Sequence, residues 1–251
     1  MRVSIDTERQ SLTVEERDGQ RTIELYSAEA FSLLSRLWVT TGWELKYTYG
    51  FAWMGRPIIQ FPQDMVAMQE LVWEVKPELI VETGIAHGGS LVYYASLLEM
   101  MGLDNAKVVG IDIDIRAHNR AAIEAHPMMK RLHLIEGSSI APEIVAQVHA
   151  LAAGKRTLVV LDSNHTHEHV LAELEAYASL TSVGSYCVVM DTVVEDMPAD
   201  FFPDRPWGPG DNPKTAVHAW LPKHPEFVID KEVDAKLALT VAPDGYLKRI
   251  A

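Results

Sequence analysis

Five apolar runs, separated by four segments of helical period, constrain the fold of this chain more than any other feature of its sequence. The runs read as strands at 79–83, 107–112, 131–137, 157–162 and 185–191, with helices between them at 90–101, 117–125, 142–152 and 166–180. A strand apolar along its whole length must be covered on both faces, and crossover helices in a strand-helix-strand alternation provide that cover. The expected architecture is therefore α/β: a doubly wound, mostly parallel sheet, with ligands bound beyond the carboxyl ends of its strands.

Both ends of the chain depart from this rhythm. Residues 1–25 alternate polar and apolar positions, as a short hairpin or a frayed arm would, and Ser27 caps a helix read over 27–39. An aromatic-rich stretch follows, with Tyr47, Tyr49, Phe51, Trp53 and Phe61, and it reads either as a loop packed on the core or as a pocket wall. A helix at 63–75 leads into the first strand. After the fifth strand come a Pro/Gly-rich stretch at 198–213, a helix at 214–221, and strands at 227–230 and 238–241, the last pair antiparallel. The reading divides the chain into an N-terminal helical and aromatic extension over 1–62 and a main domain over 63–251, with a loop at about 192–213 over the site.

Length and composition, 251 residues with 48% hydrophobic content, suit one such domain with its extension. A formal charge of −13 disfavours nucleic acid and anionic membrane surfaces and suits a small neutral or cationic partner. The single cysteine, Cys187, lies in an apolar run and reads as core packing. With no apolar leader and no stretch of about 18 apolar residues, the expectation is a soluble, cytoplasmic protein.

The strand ends carry the chemistry. The first runs into Glu82-Thr83-Gly84 and then Gly88-Gly89-Ser90, a turn whose glycines let backbone approach a ligand. No Gly-Lys-Ser/Thr follows, which argues against a triphosphate, and the spacing is not Gly-x-Gly-x-x-Gly. The second strand ends at Asp112, placed to receive ribose hydroxyls or to cap the next helix, and the third at Gly137-Ser138, near where an adenine edge would lie. Glu82 would repel a pyrophosphate but attract the sulfonium and ammonium of S-adenosylmethionine, so the turn points to that cofactor over a dinucleotide. The fourth strand delivers Asp162 and, three residues on, His165, either a metal ligand beside a general base or a base with its orienting carboxylate. His167 and His169 read as solvent-facing, although His165 and His169 have the spacing of a zinc pair. The fifth ends at Asp191, and two carboxylates from adjacent strands suit magnesium.

From about residue 47 to its end, the chain resembles the S-adenosylmethionine-dependent O-methyltransferases of the cephalosporin hydroxylase type, which include enzymes acting on rhamnosyl and macrolide sugar hydroxyls. The likeness rests on Glu82-Thr83-Gly84 with Gly88-Gly89-Ser90, on Gly110-Ile111-Asp112, on Asp162-x-x-His165 with Asp191, and on the closing Gly245-Tyr246-Leu247-Lys248-Arg249. The resemblance implies a Rossmann-like, seven-stranded methyltransferase fold, His165 as base with Asp162 beside it, and a homo-oligomer. It places the cofactor on Glu82, Thr83, Gly84, Gly88, Ser90, Asp112, Gly137, Ser138 and Asp162, and magnesium on Asp162, Asp191 and Thr192. Met190 stands where relatives carry the Glu of a Glu-Asp pair, and a thioether is a poor magnesium ligand; Glu195 or Asp196 would replace it if the loop folds back. The expected methyl acceptor is a small molecule, a sugar or glycoside of a natural product or surface glycan. A catechol-like phenol, or a cofactor-binding accessory protein without catalysis of its own, are the alternatives.

Overall fold

The computed structural model describes residues 1–251. Its centre is the expected parallel array: β6 (Leu79–Thr83), β7 (Lys107–Asp112), β8 (Leu132–Glu136), β9 (Thr157–Leu161) and β10 (Tyr186–Val189). The strands lie in the order β8-β7-β6-β9-β10, every neighbouring pair parallel. The chain runs outward from β6 to β8, then returns to place β9 on the other side of β6. The carboxyl ends of β6 and β9 therefore flank the switch point, where such sheets bind ligands.

Successive strand residues point to opposite faces, and each face has its own core. Ile80, Val108, Val160 and Val188 pack under α2 (Pro62–Val75) and α3 (Gly89–Met100), with Ile123 of α4 (Ala117–Glu124) alongside. Val81, Val109, Val159 and Val189 pack under α5 (Pro142–Ala152), α6 (His167–Tyr177) and α7 (Pro213–Trp220). Cys187 is fully buried on this second face, and burial pushes its thiol up to about 12, as a core cysteine requires.

The edge differs from the sequence reading. β11 (Phe227–Ile229) is present, but residues 238–241 form no strand; its antiparallel partner is β12 (Tyr246–Arg249), inserted between β11 and β10 to complete seven strands. Thr240 and Val241 are held by a side chain instead: the buried Asp64 carboxylate accepts from Thr240 Oγ1 at 2.5 Å and from the Val241 amide at 2.9 Å. A short helix, α8 (Lys231–Lys236), lies between β11 and this segment.

The N-terminal residues form more than a hairpin. β1 (Arg2–Asp6), β2 (Ser11–Glu16) and β3 (Gly19–Glu24) make a three-stranded antiparallel sheet, whose Leu12 and Val14 pack on Ala30 and Leu33 of α1 (Ala28–Glu44). Ser27 caps α1 as expected, accepting from the Ala30 amide at 3.2 Å. The small hairpin of β4 (Ala52–Trp53) and β5 (Arg56–Pro57) then crosses the start of α3 so closely that a Cβ on Gly89 would lie 2.1 Å from the Pro57 carbonyl. No helix is long and apolar enough to cross a membrane.

Candidate active site

The turn after β6 is tightly constrained. Gly84 has φ +88°, donates its amide to the Ile111 carbonyl at 2.7 Å, and would place a Cβ 1.9 Å from the Asp162 carbonyl oxygen. Gly88, at φ +77°, leaves the room that Ile123 fills. Asp112 reaches across from β7, and its Oδ2 accepts the amides of Ile85 at 2.8 Å and Ala86 at 3.2 Å. From the outer side Arg56 Nε donates to the His87 carbonyl at 2.9 Å, and Asn119 Nδ2 to the Ala86 carbonyl at 2.9 Å.

Glu82 lies beneath this turn, wholly buried, with Oε2 accepting from Ser90 Oγ at 2.8 Å and Oε1 without a partner. Burial, with the charge of Asp162 nearby, holds its carboxyl well above the usual carboxylate range. Thr83 does not line the cleft; it braces the neighbouring strand end, its carbonyl accepting the Asp162 amide at 3.0 Å.

Asp162, His165 and Asp191 converge opposite the turn, their ligand atoms all within 4.8 Å of one another. His165 Nε2 is 3.2 Å from Asp191 Oδ2 and 3.7 Å from Asp162 Oδ1. Asp191 holds its place through a left-handed backbone, φ +55°, two residues after β10. Burial raises its carboxyl to about 6 and raises that of Asp162 too. Burial opposes protonation of His165, but Asp191 and Asp162 outweigh it and raise the imidazole above its ordinary value.

These groups face a cleft of about 860 Å³. Gly84, Asp112 and Ser138 line it as expected from the sequence; Gly137 lies just behind, its amide bonded to the Asp112 carbonyl at 2.8 Å. Trp43 and Tyr49 form one wall, so the aromatic segment is in part a pocket wall, while Trp53 turns inward and donates to Ser96 Oγ at 2.9 Å. The 198–213 loop adjoins this wall: Phe202 packs edge-on against Trp43 at 6.1 Å, and Trp207 sits 5.1 Å from His165, ring centre to ring centre, and 4.9 Å from Phe202. Neither later histidine of the fourth-strand cluster faces bulk solvent. His167 Nδ1 pairs with Thr215 Oγ1 at 2.8 Å, and His169 lines the cleft. The spacing of His169 and Glu173, one helical turn apart, carries the signal for this: it puts imidazole and carboxylate on one face.

The sequence model of the rhamnosyl O-methyltransferase/CmcI family matches residues 45–250. The chain belongs to this family. A rhamnosyl O-methyltransferase of Mycobacterium bovis (strain BCG / Pasteur 1173P2) is 34% identical over 190 residues, covering 74% of this chain and 73% of its own. One from Mycobacterium leprae is 31% identical over 201 residues, covering 78% of this chain and 82% of its own. Among solved structures, CmcI with Mg and SAM superposes with a TM-score of 0.56 at 20% identity over 81% of this chain and 78% of its own. An O-methyltransferase from Bacillus cereus in complex with SAH gives 0.51 at 16% over 81% and 84%. These two likenesses show the shared seven-stranded α/β methyltransferase fold.

Three details of this rhamnosyl O-methyltransferase/CmcI family member bear on the metal set expected from sequence. Met190 is buried in the apolar core on the α2/α3 face of the sheet, so a thioether there is a packing residue. Thr192 is fully buried and donates its hydroxyl to the Pro243 carbonyl at 2.6 Å, outside the cleft lining. Glu195 and Asp196 do not replace the missing carboxylate: Glu195 accepts the Gly210 amide at 2.7 Å and the Asn212 side chain, and Asp196 pairs with Lys214 at 2.7 Å.

Proposed function

We propose that this chain transfers the methyl group of S-adenosylmethionine to a hydroxyl oxygen of a sugar or glycoside. The observation that carries the reading is the placement of the His165 imidazole between two strand-end carboxylates, across one cleft from the Gly84 turn. The cofactor fits the residues present. The unpartnered Oε1 of Glu82 and the unpartnered amide of Gln60 are both buried behind the turn, and Gln60 and Ser90 line a recess of about 210 Å³ that suits an amino-acid head group. Asp112 and Ser138 continue the path for ribose and base.

A divalent cation fits as well, because two carboxylates raised by burial gain from a positive charge between them. Asp162 and Asp191 would hold magnesium, which when bound supplies charge that makes an adjacent hydroxyl more acidic. His165 takes the hydroxyl proton, and the carboxylates beside its ring stabilise the imidazolium that results. The oxygen's electron pair forms the new bond to the methyl carbon as the carbon–sulfur bond breaks, leaving S-adenosylhomocysteine. The ring of Trp207, which lines the cleft beside the base, offers an apolar surface for the C–H side of a sugar ring. Self-association is part of the reading, supported by Tyr26, Phe31 and Leu45, which are 73%, 63% and 75% exposed on the N-terminal extension.

Methyl transfer from labelled cofactor to a panel of glycosides and phenols, with magnesium and with chelator, tests the assignment. Product on glycosides is expected, suppressed by chelator; transfer to phenols alone would move the substrate class. His165→Ala should lower turnover by about a hundred-fold to ten-thousand-fold while cofactor binding persists. Unchanged turnover would remove His165 from the base role.

A further inference from the structure

Below the cleft lies a polar cluster that the methyl-transfer step does not use. Glu173 of α6 is completely buried; its Oε1 accepts from Ser163 Oγ at 2.6 Å and lies 3.3 Å from His169 Nε2, and its Oε2 has no partner. His169 Nε2 is also 3.1 Å from Ser139 Oγ, and Ser139 is pinned in turn by the Tyr177 hydroxyl on its carbonyl. Ser163, His169 and Ser139 all line the cleft, between the ends of β8 and β9.

The chemistry of the pair sets the proton. A carboxylate only accepts hydrogen bonds, so a bare imidazole lone pair 3.3 Å from Glu173 would be repelled where an N–H is attracted. Nε2 therefore carries the hydrogen and donates it to Ser139 Oγ under the field of Glu173. Nδ1 is then an acceptor, and it is the ring nitrogen that makes no hydrogen bond within the protein. A cofactor laid from the Glu82 turn past Asp112 brings its base to Ser138 and Ser139, which line the cleft together with His169.

We infer that His169 Nδ1 accepts a hydrogen bond from the 6-amino group of the cofactor's adenine, and that buried Glu173 acts as the positioning residue that fixes the imidazole tautomer. This rests on the cofactor reading proposed above. A 6-aminopurine presents a donor there; a 6-oxopurine presents a carbonyl lone pair to another lone pair. The site should thus select the base as well as hold it.

Calorimetric binding of S-adenosylhomocysteine and S-inosylhomocysteine tests this. The wild-type protein should bind the adenine ligand at least about ten-fold more tightly, the loss of one hydrogen bond plus an unpaired acceptor. His169→Leu should bring the ratio to within about three-fold. Glu173→Gln gives the readout that a merely structural role would not: a neutral amide can donate to Nε2, releasing Nδ1–H to serve the 6-oxo group, so S-inosylhomocysteine should bind more tightly than it does to wild type. Equal binding of both ligands by wild type, or an unchanged ratio in both variants, overturns the inference and leaves the cofactor reading standing. Failure of wild type to bind S-adenosylhomocysteine at all overturns both.

Discussion

Gly84 is the residue with least latitude in the site, since a side chain there meets the backbone of the next strand end while φ +88° already excludes most residues. Gly84→Ala should therefore push β6 and β9 apart at the switch point, costing on the order of 2–4 kcal/mol of stability and eliminating cofactor binding. Denaturant titration and calorimetry would measure the two effects. At this scale the sequence was readable wherever a polar residue ended an apolar run, as with Glu82, Asp112, Asp162 and Asp191. His169 was misread because, apart from Glu173 one turn on, the groups that turn it inward come from other segments: Ser139 lies 30 residues away, and the cleft exists only once β8 and β9 are placed. Thr192 was misread for the same reason, its hydroxyl being taken by a carbonyl 51 residues on.

Glu195 fastens the 198–213 loop from outside it: it takes the Gly210 amide and the side chain of Asn212, the residue that caps α7. Glu195→Ala should loosen the wall that carries Trp207, raising the KM for the methyl acceptor by about ten-fold with cofactor affinity unchanged. Steady-state kinetics in both substrates, with proteolytic cleavage sites mapped in the loop, would check it. The strands from 79 to 189 could be found because burial on both faces leaves unbroken apolar runs. The closing strand could not: Tyr246–Arg249 carries Lys248 and Arg249, whereas Ala238-Leu239-Thr240-Val241 has strand composition but is claimed by a buried side chain from α2.

That side chain, Asp64, ties the molecule together, linking the start of α2 to Thr240, Val241 and the Tyr246 hydroxyl. Burial raises it from 3.8 to about 6, so between these values the folded protein keeps a proton that the unfolded chain has released. Its contribution is full below the unfolded value and is lost as pH rises through the folded one. The shift is worth about 3 kcal/mol between about pH 4 and pH 7, and unfolding curves at the two ends should show Asp64→Asn with a pH dependence flatter by that order. The β4–β5 hairpin has a different consequence for the whole molecule. Its Pro57 carbonyl fills the space a side chain would need at Gly89, and Arg56 grips the cofactor turn, so it cannot swing outward without dismantling that turn.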